Sequence, residues 1–426
     1  MAFLETRPFR FIHCGDLHLD SPFTGLGHTD SDIKKILYDA SFQAFEKVLD
    51  YGLEEKASFV LIAGDIYDSL TRSLRAQLNF RDLVRKAGKE GLSIYVVHGN
   101  HDPLDSWTAR VSFPDNLFRF PDRLSSVTHY EDGSPLAEIW GISYARKETS
   151  ENLARRFSGI PRERDIFRIG LLHCNVGGVS TLHQNYAPCS LGDLIDGAVD
   201  YWALGHVHEM NILHDSSPMV VYPGNIQGRH MKEQGEKGCF LVSVDSGRVD
   251  GMEFLPTSEV LWMEEQVSLS GNEEIADIHD LVGAACDRIR SLARGRLSIA
   301  RLSLTGTSDL QSFLNNPLFL DQLVQTFRDR ERNRLDLVWI ESIRNRTRGP
   351  SDLSELKDSD SFLSDFLRVA HQARHDPGLV ETFLRETPGF NHIRLFLEKG
   401  DFPDYRELVD DAEKLGLSRL LEEHQE

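Results

Sequence analysis

Five short stretches carry the residue types that could do chemistry: GDLHLD at 15–20, GDIYDS at 64–69, GNHDP at 99–103, HCN at 173–175 and GHVH at 205–208. Carboxylate and amide oxygens mixed with imidazole nitrogens suit manganese, iron or zinc better than magnesium or calcium, with manganese the first choice. Asp16 and His18 are two apart, so in an extended backbone their side chains would leave from one face. The set partitions into two metal sites, one taking Asp16, His18 and His208, the other Asn100, His173 and His206. Asp65, alone after its strand, is the natural bridging carboxylate. Two ions roughly 3.5–4 Å apart can clamp the oxygens of a phosphoryl group and lower the pKa of a bridging water, which then attacks phosphorus in line. His101 stands beside a ligand without being needed as one. It could stabilise the transition state or protonate the leaving oxygen as general acid. Asp68 or Asp102 could hold its imidazole in the right tautomer and keep it cationic. Asp20 lies near the site by sequence, or else caps a helix. Each stretch alone is acceptable turn chemistry; all five together, each directly after an apolar run, are not explained that way.

Those apolar runs are the elements that must position the site. Strands are expected at 9–13, 58–63, from 93 to a break at Gly99, 167–172 and 201–204, with helices over 30–54 and 73–90 separating the first three. Strand, helix, strand, helix, strand is the spacing of a layered α/β domain. Ligands in open α/β sheets collect at the carboxyl ends of strands, where all five stretches fall. Residues 104–165 read as loops and edge strands, with 154–157 the end of a short helix. Further strands are expected at 219–222, near 238–244 and at 251–254.

Composition fits this reading. The chain has 426 residues, 40% hydrophobic and 27% charged, the balance of a soluble globular protein of more than one domain. No apolar run has the length of a membrane helix, and the first residues lack a signal-peptide pattern. Five cysteines without a C-x-x-C pair point to reduced thiols in a cytoplasmic protein. Cys14 and Cys174, beside candidate ligands, read as buried small apolar residues. A net charge of -20 makes the chain a poor non-specific nucleic-acid binder, so any such role needs a local basic surface or metal ions.

With these motifs in hand, the sequence resembles the calcineurin-like metallophosphoesterase superfamily. Within it, the chain is similar to the nuclease subunit of the bacterial SbcC–SbcD repair complex and its archaeal and eukaryotic counterparts. GDLHLDSPF (15–23) and YPGNIQGRH (222–230) place it near a YhaO-type branch. The resemblance covers residues 8–256 and implies a two-sheet β-sandwich flanked by helices, two manganese ions, and phosphodiester cleavage in DNA. The family's metal positions fall on Asp16, His18, Asp65, Asn100, His173, His206 and His208, and its catalytic histidine on His101. Some repair nucleases carry a second histidine three residues after the bridging aspartate, where this chain has Asp68. The family commonly dimerises through this domain, so a homodimer is expected.

Behind residue 256 the pattern changes. Strands are expected at 260–269, 297–306 and 335–343, with helices at 273–292 and 317–330. This is a small α/β module, similar to the capping domain of the repair nucleases. Arg328, Arg330, Arg332, Arg334, Arg344, Arg346 and Arg348 could contact DNA phosphates, or form a solvated surface with Asp329, Glu331 and Asp336. A break at 347–351 precedes an acidic helical segment with two amphipathic stripes, one on Leu353, Leu356, Phe362, Phe366, Leu367 and Val369, the other on Tyr405, Leu408, Val409, Ala412, Leu415 and Leu420. In the family, C-terminal helices dock onto the coiled coil of an ATPase; these could do the same or pack on their own domain. The expected division is therefore 1–256 phosphoesterase, 257–349 cap and 350–426 helical segment.

Overall fold

A computed structural model describes residues 7–24, 31–68, 73–106, 111–161, 166–177, 186–271, 273–332, 334–349, 362–376 and 378–380, with isolated positions between 383 and 416. In chain order the first unit contains β1 (Phe9–Cys14), α1 (Ser31–Glu54), β2 (Phe59–Ala63), α2 (Leu74–Lys89), β3 (Ser93–Val97), β4 (Leu117–Arg119), β5 (Ser125–Glu131) and β6 (Ser134–Ile142). A 3-10 turn (Leu153–Gly159) leads to β7 (Phe167–His173), β8 (Asn175–Val176), β9 (Pro188–Cys189), α3 (Leu191–Ile195), β10 (Tyr201–Gly205), β11 (Asn211–His214), β12 (Met219–Tyr222), β13 (Gly238–Asp245) and β14 (Arg248–Pro256).

These strands form two six-stranded sheets, ordered β14-β13-β1-β2-β3-β4 and β11-β12-β10-β7-β6-β5. In each, the strands that end at the site run parallel. β2 is buried along its whole length, as a strand covered on both faces must be. On one side it meets the other sheet, where Phe11 stacks on Phe59 at 5.3 Å and meets Tyr201 edge-on at 5.3 Å. On the other it meets α1 and α2, through Phe45, Val48, Phe80 and Val84. The N-cap Ser73 accepts from Ala76 N at 3.0 Å to start α2, and Lys86 and Lys89 complement its C-terminal dipole. His13 lies between the sheets, its Nδ1 2.9 Å from the Tyr201 hydroxyl and its Nε2 3.2 Å from the Leu204 carbonyl. Burial pushes this imidazole down to about 3, so it stays neutral and joins β1 to β10.

The small module consists of β15 (Val260–Gly271), α4 (Ile275–Ala293), β16 (Leu297–Ser308), α5 (Gln311–Leu314), α6 (Pro317–Glu331) and β17 (Val338–Asn345). Its three strands are parallel in the order β15-β16-β17. Helix α1 serves both layers: Phe45 and Val48 pack on the first sheet, while Ile33, Leu37 and Ala40 pack with Trp262, Ile299 and Trp339 of the module.

The arginines of the module do not form one free surface. Arg328 lies over the Trp339 ring at 4.3 Å and donates to the Ile340 and Glu341 carbonyls at 2.8 and 3.0 Å. Arg334 pairs with Asp336 at 2.9 Å and Arg332 with Asp329 at 3.5 Å. Arg328→Ala is therefore expected to lower stability by about 1–3 kcal/mol through the lost stack and hydrogen bonds, with metal binding unchanged. Chemical denaturation checks this; unaltered stability together with weakened DNA binding would return Arg328 to a phosphate-contacting role.

The second unit, 349–426, contains α7 (Phe362–His375). Ala370 and Ala373 pack with Val380 and Val409, and Arg374 pairs with Asp410 at 2.6 Å. Phe366, Leu367 and Val369 of the first expected stripe fall on α7. Leu353 and Leu356, and Tyr405, Leu408, Leu415 and Leu420 of the second, lie outside the described residues. Among the described residues no helix is long and apolar enough to cross a membrane.

Candidate metal centre

β1, β2 and β3 of one sheet and β7 and β10 of the other end at a common edge. The residues that follow them meet there. Asp16, His18, Asp65 and His206 all take positive φ, at 51°, 43°, 50° and 106°. For non-glycine residues this is uncommon and costs backbone energy, and it clusters where side chains must be aimed. Asp16 and His18 do converge, but not from an extended backbone: β1 stops at Cys14, and two left-handed residues turn the side chains inward. Asp16 N donates to the Gly64 carbonyl at 3.0 Å and His18 N to the Asp65 carbonyl at 2.9 Å, tying the first loop to the second.

The glycines flanking these residues are required by close approach. His173 Nδ1 donates to the Ala63 carbonyl across the two sheets at 2.8 Å. A Cβ on Gly205 would collide with that carbonyl, and one on Gly64 with the His173 ring. Any larger residue at either position would force the sheets apart at the site.

The ligand atoms fall into adjoining clusters. One atom each from Asp16, His18 and His208 lie within 4.8 Å of one another, as do atoms of Asp16, Asp65 and His173. The first group is the one expected from spacing; the second shows Asp16 also within reach of the other site. Asn100 Oδ1 sits 3.0 Å from His173 Nε2 and 3.2 Å from His206 Nδ1, and His206 N donates to Asp16 Oδ2 at 2.9 Å. All seven expected ligands are thus brought together.

The donor set fits divalent cations. Asp16 and Asp65 are each only 1% exposed, and two buried carboxylates in one pocket call for positive charge. Burial raises the Asp16 carboxyl. Burial alone would raise Asp65 too, but His173 and His101 bring it below the ordinary value. His208 Nδ1 donates to Glu233 Oε1 at 2.7 Å, so its Nε2 carries the lone pair, 3.2 Å from His18 Nε2. His18 Nδ1 is buried with no hydrogen-bond partner among the described residues. Burial and the neighbouring Arg229 hold the His18 imidazole well below its ordinary pKa, which keeps it neutral as a ligand must be.

His101 lies edge-on to His18 at 4.9 Å, and its backbone N donates to Asp65 Oδ1 at 2.9 Å. Its Nδ1 is 3.7 Å from Asp68 Oδ1. Burial alone would lower the imidazole, but Asp65 and Asp68 hold it above its ordinary value. Asp102, the other expected partner of His101, is engaged elsewhere. It accepts from Gly99 N at 2.8 Å, Ile66 N at 3.1 Å and His98 Nδ1 at 3.1 Å, and so braces two site loops. Asp20 accepts from Arg75 at 2.8 Å and from the hydroxyl of Ser73, the residue that caps α2. Cys14 and Cys174 are buried thiols. Glu233 and Arg229 are the neighbours that sequence reasoning missed. Arg229 lay inside a quoted motif without chemistry attached, and Glu233 lies 25 residues beyond the ligand it contacts, in a stretch that reads as charged surface.

Residues 9–210 match the calcineurin-like phosphoesterase family, and residues 262–348 match the middle domain of metallophosphoesterase YhaO. The chain is 33% identical over 349 residues to the YhaO metallophosphoesterase of Bacillus subtilis, covering 81% of this chain and 84% of that protein. It is 25% identical over 244 residues to the DNA double-strand break repair protein Mre11 of Aeropyrum pernix, covering 54% of this chain and 56% of that protein. It thus spans little more than half the length of that relative. A dimetal phosphatase from Danio rerio superposes with a TM-score of 0.34 at 11% identity, over 55% of this chain and 92% of the other. Its 33% identity to that Bacillus subtilis protein over 81% of the chain, with the two matched segments, shows that the chain belongs to the calcineurin-like metallophosphoesterases, on their YhaO branch.

Proposed function

We propose that the chain is a dimetal-dependent DNA nuclease, of exonuclease type, that works in DNA repair with an SbcC-like coiled-coil ATPase. The observation that carries the reading is the pair His101–Asp68 set beside two adjoining ligand clusters, and the 25% identity to Mre11 over 244 residues supports it. Asp16, His18 and His208 would hold one ion and Asn100, His173 and His206 the other, with Asp65 between them. Bound there, two ions, manganese by the mix of oxygen and nitrogen donors, would supply charge neutralisation of the phosphoryl oxygens and a water of lowered pKa. The protein's own part is to hold the phosphodiester against His101. Its imidazole, with Nδ1 3.7 Å from Asp68 Oδ1, donates a hydrogen bond or a proton to a phosphate oxygen. The module (257–349) would cap the phosphoesterase domain (1–256), and the segment 350–426 would dock the ATPase; neither is needed for a small phosphodiester. A homodimer through the phosphoesterase domain completes the proposed assembly.

Linear duplex DNA incubated with the chain and Mn(II) is expected to be shortened, and chelation is expected to stop it. Intact DNA alongside rapid turnover of bis-p-nitrophenyl phosphate would replace the reading with a small-molecule phosphodiesterase. For the partner, a coiled-coil ATPase is expected to co-purify with the full chain but not with one ended at Gly349. Its retention by the shortened chain would refute docking through the tail.

A further inference from the structure

His208 is the most exposed of the expected ligands. It lies beyond the end of β10, and its side chain is 17% exposed, against 1% for His18 and 0% for His173. A histidine binds a metal through one nitrogen only while the other keeps its proton and points correctly, and an outer carboxylate commonly enforces both. Glu233 does this for His208, at 2.7 Å.

Glu233 is itself a built feature rather than a surface charge. It is 4% exposed, and both its oxygens are filled. Oε1 accepts from His208 Nδ1 and from Arg229 Nη2 at 3.0 Å; Oε2 accepts from Asn225 Nδ2 at 3.0 Å and Arg229 N at 2.7 Å. The loop 225–233 that carries these groups is fastened to the first strand of the small module. Gln227 spans the start of β15, accepting from Glu259 N at 2.8 Å and Val260 N at 3.2 Å and donating to the Val260 carbonyl at 2.8 Å. The buried Trp262 donates through Nε1 to the Gly228 carbonyl at 2.9 Å, and its own carbonyl accepts from Gly235 N at 3.0 Å. From the module's strand to a metal ligand the path is therefore Trp262 and Gln227, the loop backbone, Glu233, His208.

We infer that Glu233 is a positioning residue for His208, and that the small module, through β15 and the 225–233 loop, is a mechanical part of the metal centre. This rests on the dimetal reading and adds to it a route by which anything that moves the module would change ion affinity. The substrate-facing side of the site, at His101, is not on this path, so the coupling acts on metal retention.

The test is a titration of the metal-stripped full chain with Mn(II), by calorimetry and by the electron paramagnetic resonance of the free ion, for wild type, Glu233→Ala, Glu233→Gln and Trp262→Phe. Circular dichroism of each metal-free protein confirms folding. Wild type is expected to bind two ions. Glu233→Ala is expected to weaken one of them by about 10–100-fold and to leave the other. Glu233→Gln, which keeps an acceptor for His208 but not the charge matched to Arg229, is expected to recover part of that loss. Trp262→Phe keeps an aromatic side chain but loses the bond to Gly228 and part of the buried indole, and is expected to weaken the same ion several-fold. Wild-type affinity for both ions in the two Glu233 variants would overturn the positioning role. Weakening in those variants with none in Trp262→Phe would overturn the coupling to the module. A wild-type chain that bound no Mn(II) would instead overturn the dimetal reading itself.

Discussion

Replacing His101 by alanine is expected to reduce phosphodiester turnover by about 10²–10⁴-fold, the range in which a positioned proton donor contributes, while both ions remain bound. The structure separates these two effects. What His101 gives to the ligand set is its backbone N–H, which donates to Asp65 Oδ1 at 2.9 Å, and alanine keeps it. What it gives to chemistry is the imidazole, 4.9 Å from the His18 ring and 3.7 Å from Asp68. Burial opposes its charge, and Asp65 and Asp68 overcome that opposition. Asp68→Asn is accordingly expected to give a smaller loss than His101→Ala, because it removes a partner 3.7 Å from the imidazole and leaves the imidazole itself in place. Rates on bis-p-nitrophenyl phosphate and on DNA, read with Mn(II) stoichiometry from the same samples, check the prediction. Near-wild-type turnover by His101→Ala with ions bound would remove the imidazole from the mechanism.

The site was legible where function and local pattern coincide. Each candidate ligand lies at the end of an apolar strand or within a few residues of it, so a periodicity rule located β1, β2, β3, β7 and β10, and the polar residues at their ends were then conspicuous. The parallel module was equally plain, since β15, β16 and β17 alternate with long helices. The remainder was decided by contacts distant in sequence. β5 and β11 are half-exposed edge strands, whose composition does not differ from that of loops. The convergence of Asp16 and His18 was expected from extended geometry but is produced by two left-handed residues, whose strain is repaid by hydrogen bonds to Gly64 and Asp65. Asp102 and Asp68 were equivalent candidates beside His101. Only the fold shows that Asp102 is taken by the Gly99 and Ile66 amides. Glu233 has no local signature at all, because a carboxylate that orients a ligand needs only to reach it in space.

Gly99→Ala is expected to abolish tight metal binding, although the change adds a single methyl group. The glycine precedes Asn100, and a Cβ there would collide with Asp65 Oδ1 and lie 2.8 Å from His173 Nε2, on two residues of the proposed ligand set. Neither side chain is free to yield. Asp65 Oδ1 accepts from His101 N, and the His173 ring is fixed by its Nδ1 bond to Ala63. The methyl must therefore displace a ligand, and a misplacement on the order of 1 Å costs on the order of 10²-fold in rate. Thermal unfolding gives a second readout. An ion present at about 100 times its dissociation constant stabilises a folded chain by about 2.7 kcal/mol per site, so wild type is expected to melt higher in Mn(II) than after chelation, whereas Gly99→Ala is expected to melt alike in both. Gly251→Ala on β14, where a Cβ meets nothing within 4 Å, is expected to keep the full Mn(II)-dependent shift. A Gly99→Ala chain that also kept it would show that the pocket between Asp65 and His173 is not where the ions bind.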